Sequence, residues 1–272
     1  MAWHVVPATA TGRWRPHWER LLTQGGAGGP GDEGWLVIVL ADRGLYARWL
    51  FGAMVAPHWH PFLRINQQGP YRPAGQTRFR PLAPVVRRGQ DGWKGTVDCC
   101  ASSSCRLTCT LLARWTEPHT DPWLILTARP PAAADAAWYG LRAWSECGFQ
   151  DGKRGGGDWQ QTKMTRPERA SRLWLAMAVA TLWTVSVGGA VEATAEDALD
   201  ALAVLTADRG VPVPVTSTRR SRPRLLSCFR RGLLHICATL LAGRPLPRGH
   251  FVPVPWPAAF PTAPPALTQH VA

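Results

Sequence analysis

The residues best equipped for chemistry stand close together in the chain: Tyr139, Arg142, Glu146 and Lys153. Each residue of an α-helix turns about 100° from the last, so relative to Tyr139 the others point to about −60°, about −20° and about −40°. One helix through this stretch predicts a single narrow face carrying all four, with Gly148 and Gly152 as candidate stops before Lys153. A carboxylate flanked by two cations and a phenol suits metal-assisted phosphoryl transfer. The acid would hold a divalent cation while the cations and the hydroxyl take phosphates of a nucleic-acid backbone. The same spacing also describes a solvated face with an Arg142–Glu146 pair at i, i+4, worth roughly 0.2–0.5 kcal/mol. A second acid, Asp42, closes the apolar run Leu36-Val37-Ile38-Val39-Leu40-Ala41.

Positioning these groups falls to elements that the hydrophobic pattern predicts. Residues 35–40 read as a strand buried on both faces, as in the middle of a sheet covered by helices. A helix follows, with Leu45, Trp49, Ala53 and Ala56 in period and Pro57 as its stop, and then a strand over 61–65. Pro, Gly and Arg punctuate short strands over 79–86, 93–99 and 105–112, a pattern that predicts an inserted β-rich subdomain. Residues 123–127 return to the main sheet, and a helix covers 134–150. Farther on the pattern is helical. One helix starts at Pro167-Glu168 and holds the apolar run 173–191. A second is capped by Thr194 and Asp197 and ends near Gly210, and a third carries Leu225, Phe229, Leu233, Ile236 and Leu240. Upstream, 14–22 reads as a short helix, and the Gly-rich stretch 25–34 lacks the Lys-Ser/Thr ending of a P-loop.

Thirty-one Lys and Arg against 18 Asp and Glu give a formal charge of +13, which favours polyanionic partners, nucleic acid before anionic membrane. Arg219, Arg220, Arg222, Arg224, Arg230 and Arg231 would either grip a DNA backbone or form a solvated face. The run 173–191 is interrupted by Thr181, Thr184, Ser186 and Gly188-Gly189, which favours a buried helix over a bilayer span. Of the seven cysteines, Cys99, Cys100, Cys105 and Cys109 crowd together without paired C-x-x-C spacing. With no secretory leader at Met1, reduced thiols of a cytoplasmic protein are the simpler expectation, ahead of a metal site. Trp93, Trp115 and Trp123 are expected in the core rather than stacked on bases, and His58, His60 and His119 are expected to be structural.

Tyr, two residues, Arg, three residues, Glu, six residues, Lys resembles the YREK signature of bacterial insertion-sequence transposases with a DDE triad. Leu40-Ala-Asp42-Arg-Gly-Leu45 looks like the strand end bearing that family's second catalytic Asp, and Trp59-His-Pro-Phe-Leu-Arg64-Ile like the strand after it. The resemblance implies an α/β, ribonuclease-H-like mixed sheet flanked by helices, with a β-rich insertion and without its first strands. It divides the chain into a partial core (1–68), the insertion (69–120), the rest of the core with the signature helix (121–191), and a helical, Pro-rich C-terminal region (192–272). Asp42 and Glu146 would be catalytic, metal-binding carboxylates. Tyr139, Arg142 and Lys153 would contact DNA phosphates, and two Mg²⁺ ions would serve the reaction.

The implied partners are double-stranded DNA, as transposon ends and target, and a second copy in a homodimeric synaptic complex. The implied location is the bacterial cytoplasm at the nucleoid, with no membrane. The family's first Asp has no counterpart here, since Asp32 lies in a Gly-rich loop. The expectation is therefore a chain inactive in cleavage, with a non-catalytic DNA-binding remnant that occupies transposon ends as the alternative.

Overall fold

The computed structural model describes residues 5–6, 12–27, 36–89, 92–117, 119–155, 158–207 and 226–251. It is of mixed α/β class, a seven-stranded mixed sheet with helices. The chain divides into two compact units, one of Ala10–Ala143 and one of Trp144–Val254.

In the first unit, helix α1 (Arg15–Ala27) precedes β1 (Ile38–Ala41). The strand stops at Asp42, whose carboxylate accepts the Arg43 amide at 2.8 Å and caps a 3₁₀ turn, Arg43–Leu45. Helix α2 (Arg48–Val55) buries Leu50, Phe51 and Met54, then gives way at Pro57 and at His58, which adopts a left-handed φ of 60°. Strand β2 (His60–Ile65) lies parallel to β1, with Ile38 opposite His60 and Ala41 opposite Leu63.

The remaining strands are β3 (Pro70–Pro73), β4 (Arg80–Pro81), β5 (Trp93–Cys99), β6 (Leu107–Arg114) and β7 (Trp123–Thr127). Their order is β1-β2-β7-β6-β5-β3-β4. Strand β7 does return to the main sheet, between β2 and β6 and antiparallel to both. The strands of the expected β-rich insertion extend that same sheet. The reason is two-sided apolarity in β6 and β7. Leu111, Leu124 and Leu126 face the side covered by α2, while Leu112 and Ile125 face the other, with Phe62, Ala134 and Tyr139. A hairpin apolar on both faces cannot stand alone in water.

Two further expectations change. Strand β1 is at the end of the sheet among the described residues, not in its middle. Its apolar run is explained by cover rather than rank: Val39 packs on the α2 side, Ile38 and Leu40 on the other. Of 79–86 only Arg80–Pro81 pairs, because Pro81 and Pro84 lack the amide that a longer ladder needs.

Helix α3 (Arg142–Gln150) crosses into the second unit, where α4 (Pro167–Ala207) is one helix of 41 residues and two were expected. Thr194 Oγ1 donates back to the Ala190 carbonyl at 3.0 Å instead of capping a new start. The side chains described on α4 end at residue 195. Helix α5 (Cys228–Leu241) is capped by Ser227, which accepts the Arg230 amide at 3.1 Å, and ends at Gly243 with a φ of 62°.

Helices α4 and α5 meet through glycines. A Cβ on Gly188 would fall inside the Cys228 carbonyl and 2.9 Å from the Gly232 nitrogen, and a Cβ on Gly232 inside the Thr184 carbonyl. Beside this crossing Arg231 pairs with Glu192 at 3.4 Å. The rest of the apolar run is less enclosed than expected. Leu175, Val179 and Leu182 are exposed, and Pro167–Ala195 is long and apolar enough to cross a membrane.

Candidate functional site

At the C-terminal end of β1 and β2 a small set of charged groups meets across 100 residues of sequence: Arg142 Nη2 lies 3.1 Å from Asp42 Oδ2. Strand β1 delivers Asp42. Arg142 arrives from the opposite face of the sheet, at the first residue of α3 (Arg142–Gln150). Just before it runs a 3₁₀ turn, Ala136–Leu141, capped by the Asp135 carboxylate on the Ala137 amide at 2.6 Å.

Tyr139 belongs to that turn, so the single helix expected over 134–150 does not form. Its first part is 3₁₀, where residues i and i+3 eclipse, and this brings Tyr139 and Arg142 into line for a different reason than helical period. Tyr139 is buried, stacks edge-on against Trp123 at 5.3 Å, and donates its hydroxyl to the Ala41 carbonyl at 3.4 Å. It anchors the backbone next to Asp42.

Burial by itself would raise the Asp42 carboxyl. The Arg43 amide and the charges of Arg142 and Arg64 outweigh it and hold the pKa below the ordinary 3.8. The Tyr139 phenol moves up, first through burial and then through the Asp42 charge, against the pull of Arg142 and Arg64. At the other end of β2, His60 meets Arg129 at 3.2 Å and is pushed down by burial and by that cation.

An acid-stability difference follows from the Asp42 shift. With its folded pKa depressed, the carboxylate adds stability above about 3.8, its value when unfolded, and loses it as pH falls through the folded pKa. The side chain is 49% exposed, so screening holds the gain below about 1 kcal/mol. Urea unfolding of the native chain and Asp42→Asn should differ near neutrality and converge as pH falls through the folded-state pKa of Asp42. A gap that persists in acid would mean that the carboxylate's charge contributes nothing.

Arg64 is the member that sequence reasoning missed. It sits on β2, donates Nη2 to the Pro122 carbonyl at 3.3 Å, and keeps a buried Nε without a hydrogen-bond partner. The available signal was a lone guanidinium in the apolar strand Pro61-Phe62-Leu63-Arg64-Ile65.

Glu146 and Lys153 are exposed and fall in the second unit, which begins at Trp144. Glu146 is four residues beyond Arg142 on α3. Gly148 does not stop the helix, which runs to Gln150 and continues as a π turn, Asp151–Gly155, holding Lys153. Among the described residues no group of three or more His, Cys, Asp or Glu could hold a metal ion, and the Asp42 carboxylate is engaged by Arg142 and the Arg43 amide.

Of the arginine run, Arg219, Arg220, Arg222 and Arg224 lie outside the described residues, Arg230 is exposed, and Arg231 is paired with Glu192. Trp93 packs on Tyr71, Trp115 donates its indole N–H to the His119 carbonyl, and Trp123 packs on Tyr139 and His119. All three tryptophans have structural partners. Cys100 and Cys105 form a disulfide, where reduced thiols were expected. No protein-family model, characterised protein or solved structure matches the chain.

Proposed function

We propose that this chain handles DNA phosphates as a DDE-type insertion-sequence transposase does, with a ribonuclease-H-like core of the kind that serves strand cleavage and strand transfer at transposon ends, the chain itself being inactive in cleavage. The supporting observation is the meeting of Asp42, Tyr139 and Arg142, chosen for their types and spacing, within one site at the end of β1. Parallel β1 and β2, with an acid at the strand tip, agree with such a core.

In this reading Arg142 exchanges the Asp42 carboxylate for a phosphodiester oxygen, and Arg64 adds a second positive charge beside it. Tyr139 fixes the strand end from within the core. Glu146 and Lys153 supply the second acid and a further phosphate contact. Mg²⁺, when bound, would activate the attacking oxygen and stabilise the leaving one. The partners are transposon-end and target DNA and a second copy of the chain, in the nucleoid of the cytoplasm, without a membrane.

A second reading, a non-catalytic occupant of transposon ends, is favoured by the Arg142–Asp42 pair and by the lack of a three-ligand group among the described residues. Both readings require DNA binding that weakens with salt. In fluorescence-anisotropy titrations with a random-sequence duplex, Arg142→Ala should weaken binding about tenfold and lower the salt slope by about one. Equal affinity and slope in the two proteins would refute the phosphate role of Arg142. Mg²⁺-dependent nicking that disappears in Glu146→Gln would refute the inactivity, and a simple occupant binds equally well with a chelator present.

A further inference from the structure

The β5–β6 hairpin carries four of the seven cysteines, and they fall into two pairs of different character. Cys99 and Cys109 are buried in the core on the α2 side, and the Cys109 thiol is pushed up by its hydrogen bond with Cys99 and by burial. Cys100 and Cys105 stand in the turn between the strands, half-buried, with Cα atoms 6.0 Å apart and a disulfide between them. The residues they enclose, Ala101, Ser102, Ser103 and Ser104, are all exposed.

Three observations set this disulfide apart from a structural one. The strand ladder already closes the hairpin, since Cys99 pairs with Leu107 and Trp93 with Ala113, so the bond constrains a loop that is shut without it. The turn that holds the pair is open to solvent at residues 101–104. The other five cysteines are thiols, and Cys147 and Cys237 among them are exposed, which is the usage of a protein kept where thiols persist. In that setting an accessible disulfide exchanges with the thiol pool.

The turn also has a mechanical link. The Ser104 carbonyl accepts from Arg48 Nη1 at the first residue of α2, and the Ala101 carbonyl accepts from Arg106 at 2.8 Å. Arg48 follows the 3₁₀ turn that Asp42 caps.

We propose that Cys100 and Cys105 form a reversible redox clasp, closed by low-molecular-weight disulfides of the glutathione class and opened by thiol reductants. Its state sets how firmly the turn holds Arg48. In closing, one thiolate of the pair attacks the small disulfide, forms a mixed disulfide and expels one small thiol. The second cysteine then attacks the protein sulfur of that mixed disulfide and expels the other small thiol. The protein dithiol loses two electrons, the small disulfide is reduced to two thiols, and the two cysteine protons end on them.

The test uses the full chain, folded, after oxidised glutathione or after dithiothreitol, with thiols then alkylated in denaturant and counted by mass. Five alkylated cysteines are expected after oxidation and all seven after reduction, with the tryptic peptide 95–106 holding the bond. Backbone amide exchange over residues 43–50 should rise severalfold on reduction, and Cys100→Ser/Cys105→Ser should show the reduced rate under either treatment. Seven reactive thiols after oxidation, a bond at Cys99–Cys109 instead, or a disulfide that dithiothreitol opens only in denaturant would each overturn the clasp. Unchanged exchange over 43–50 would overturn its link to Arg48. None of these outcomes depends on DNA binding.

Discussion

Gly188→Ala is expected to destabilise the α4–α5 pair by about 2–3 kcal/mol, while Gly189→Ala, one residue on, stabilises it by up to about 1 kcal/mol. Helix propensity favours alanine equally at both positions, so the difference in sign comes from packing alone. At Gly189 an added methyl meets nothing within 4 Å, whereas at Gly188 it overlaps the Cys228 carbonyl. That obstacle is backbone, so the helices must separate rather than a side chain rotate, and Gly232 against the Thr184 carbonyl has the same problem in mirror form. Separation would also stretch the Arg231–Glu192 contact, in which Glu192 keeps only 13% of its side chain exposed. Urea unfolding followed by far-UV circular dichroism reads both variants. Matching shifts at the two positions would contradict the close approach of the helices.

Tyr139→Ala should cost about 3–5 kcal/mol, the range for emptying an aromatic site in a packed core. The residue is 3% exposed and shares its cluster with Phe62, Leu112, Ile125 and Ala134. Tyr139→Phe keeps the ring and removes the hydroxyl with its bonds to the Ala41 carbonyl and to Arg142, so its cost falls to about 1–2 kcal/mol. The pair divides two roles. If the phenol only anchors the strand end, Tyr139→Phe binds duplex DNA as the native chain does. If it also contacts phosphate, affinity drops severalfold with stability almost intact. A Tyr139→Ala chain as stable as the native one would contradict the buried placement.

Strands were legible where a run was apolar enough to need cover, as at Ile38–Ala41, His60–Ile65 and Trp123–Thr127, and at Trp93–Cys99 from the turn residues that bound it. Their order in the sheet was not, because neighbours such as Leu63 and Leu126 are chosen by packing that no local pattern carries. Helix breaks were misjudged in both directions. Thr194 offers a cap but donates to its own helix, and the stretch before Arg142 has helical spacing but folds as 3₁₀ after Pro130, Pro131 and the Asp135 cap.

At the candidate site, residue types and spacing drew attention to Asp42, Tyr139 and Arg142. They did not reveal that Tyr139 is core or that Arg142 takes the Asp42 carboxylate. Arg64 escaped notice because a single cation in a strand has no period to mark it. The Cys100–Cys105 pairing depends on hairpin geometry, which spacing alone leaves open.

The two margins of the sheet are not alike. At one margin β4 is two residues long and ends in Pro81, which has no amide to offer an additional neighbour. At the other, β1 is uninterrupted by proline or charge from Ile38 to Ala41, and no strand pairs on its outer side among the described residues. Enlargement of the sheet is therefore one-directional. Any strand added there would run alongside Asp42, so whatever side chains it brought would become that carboxylate's nearest new neighbours.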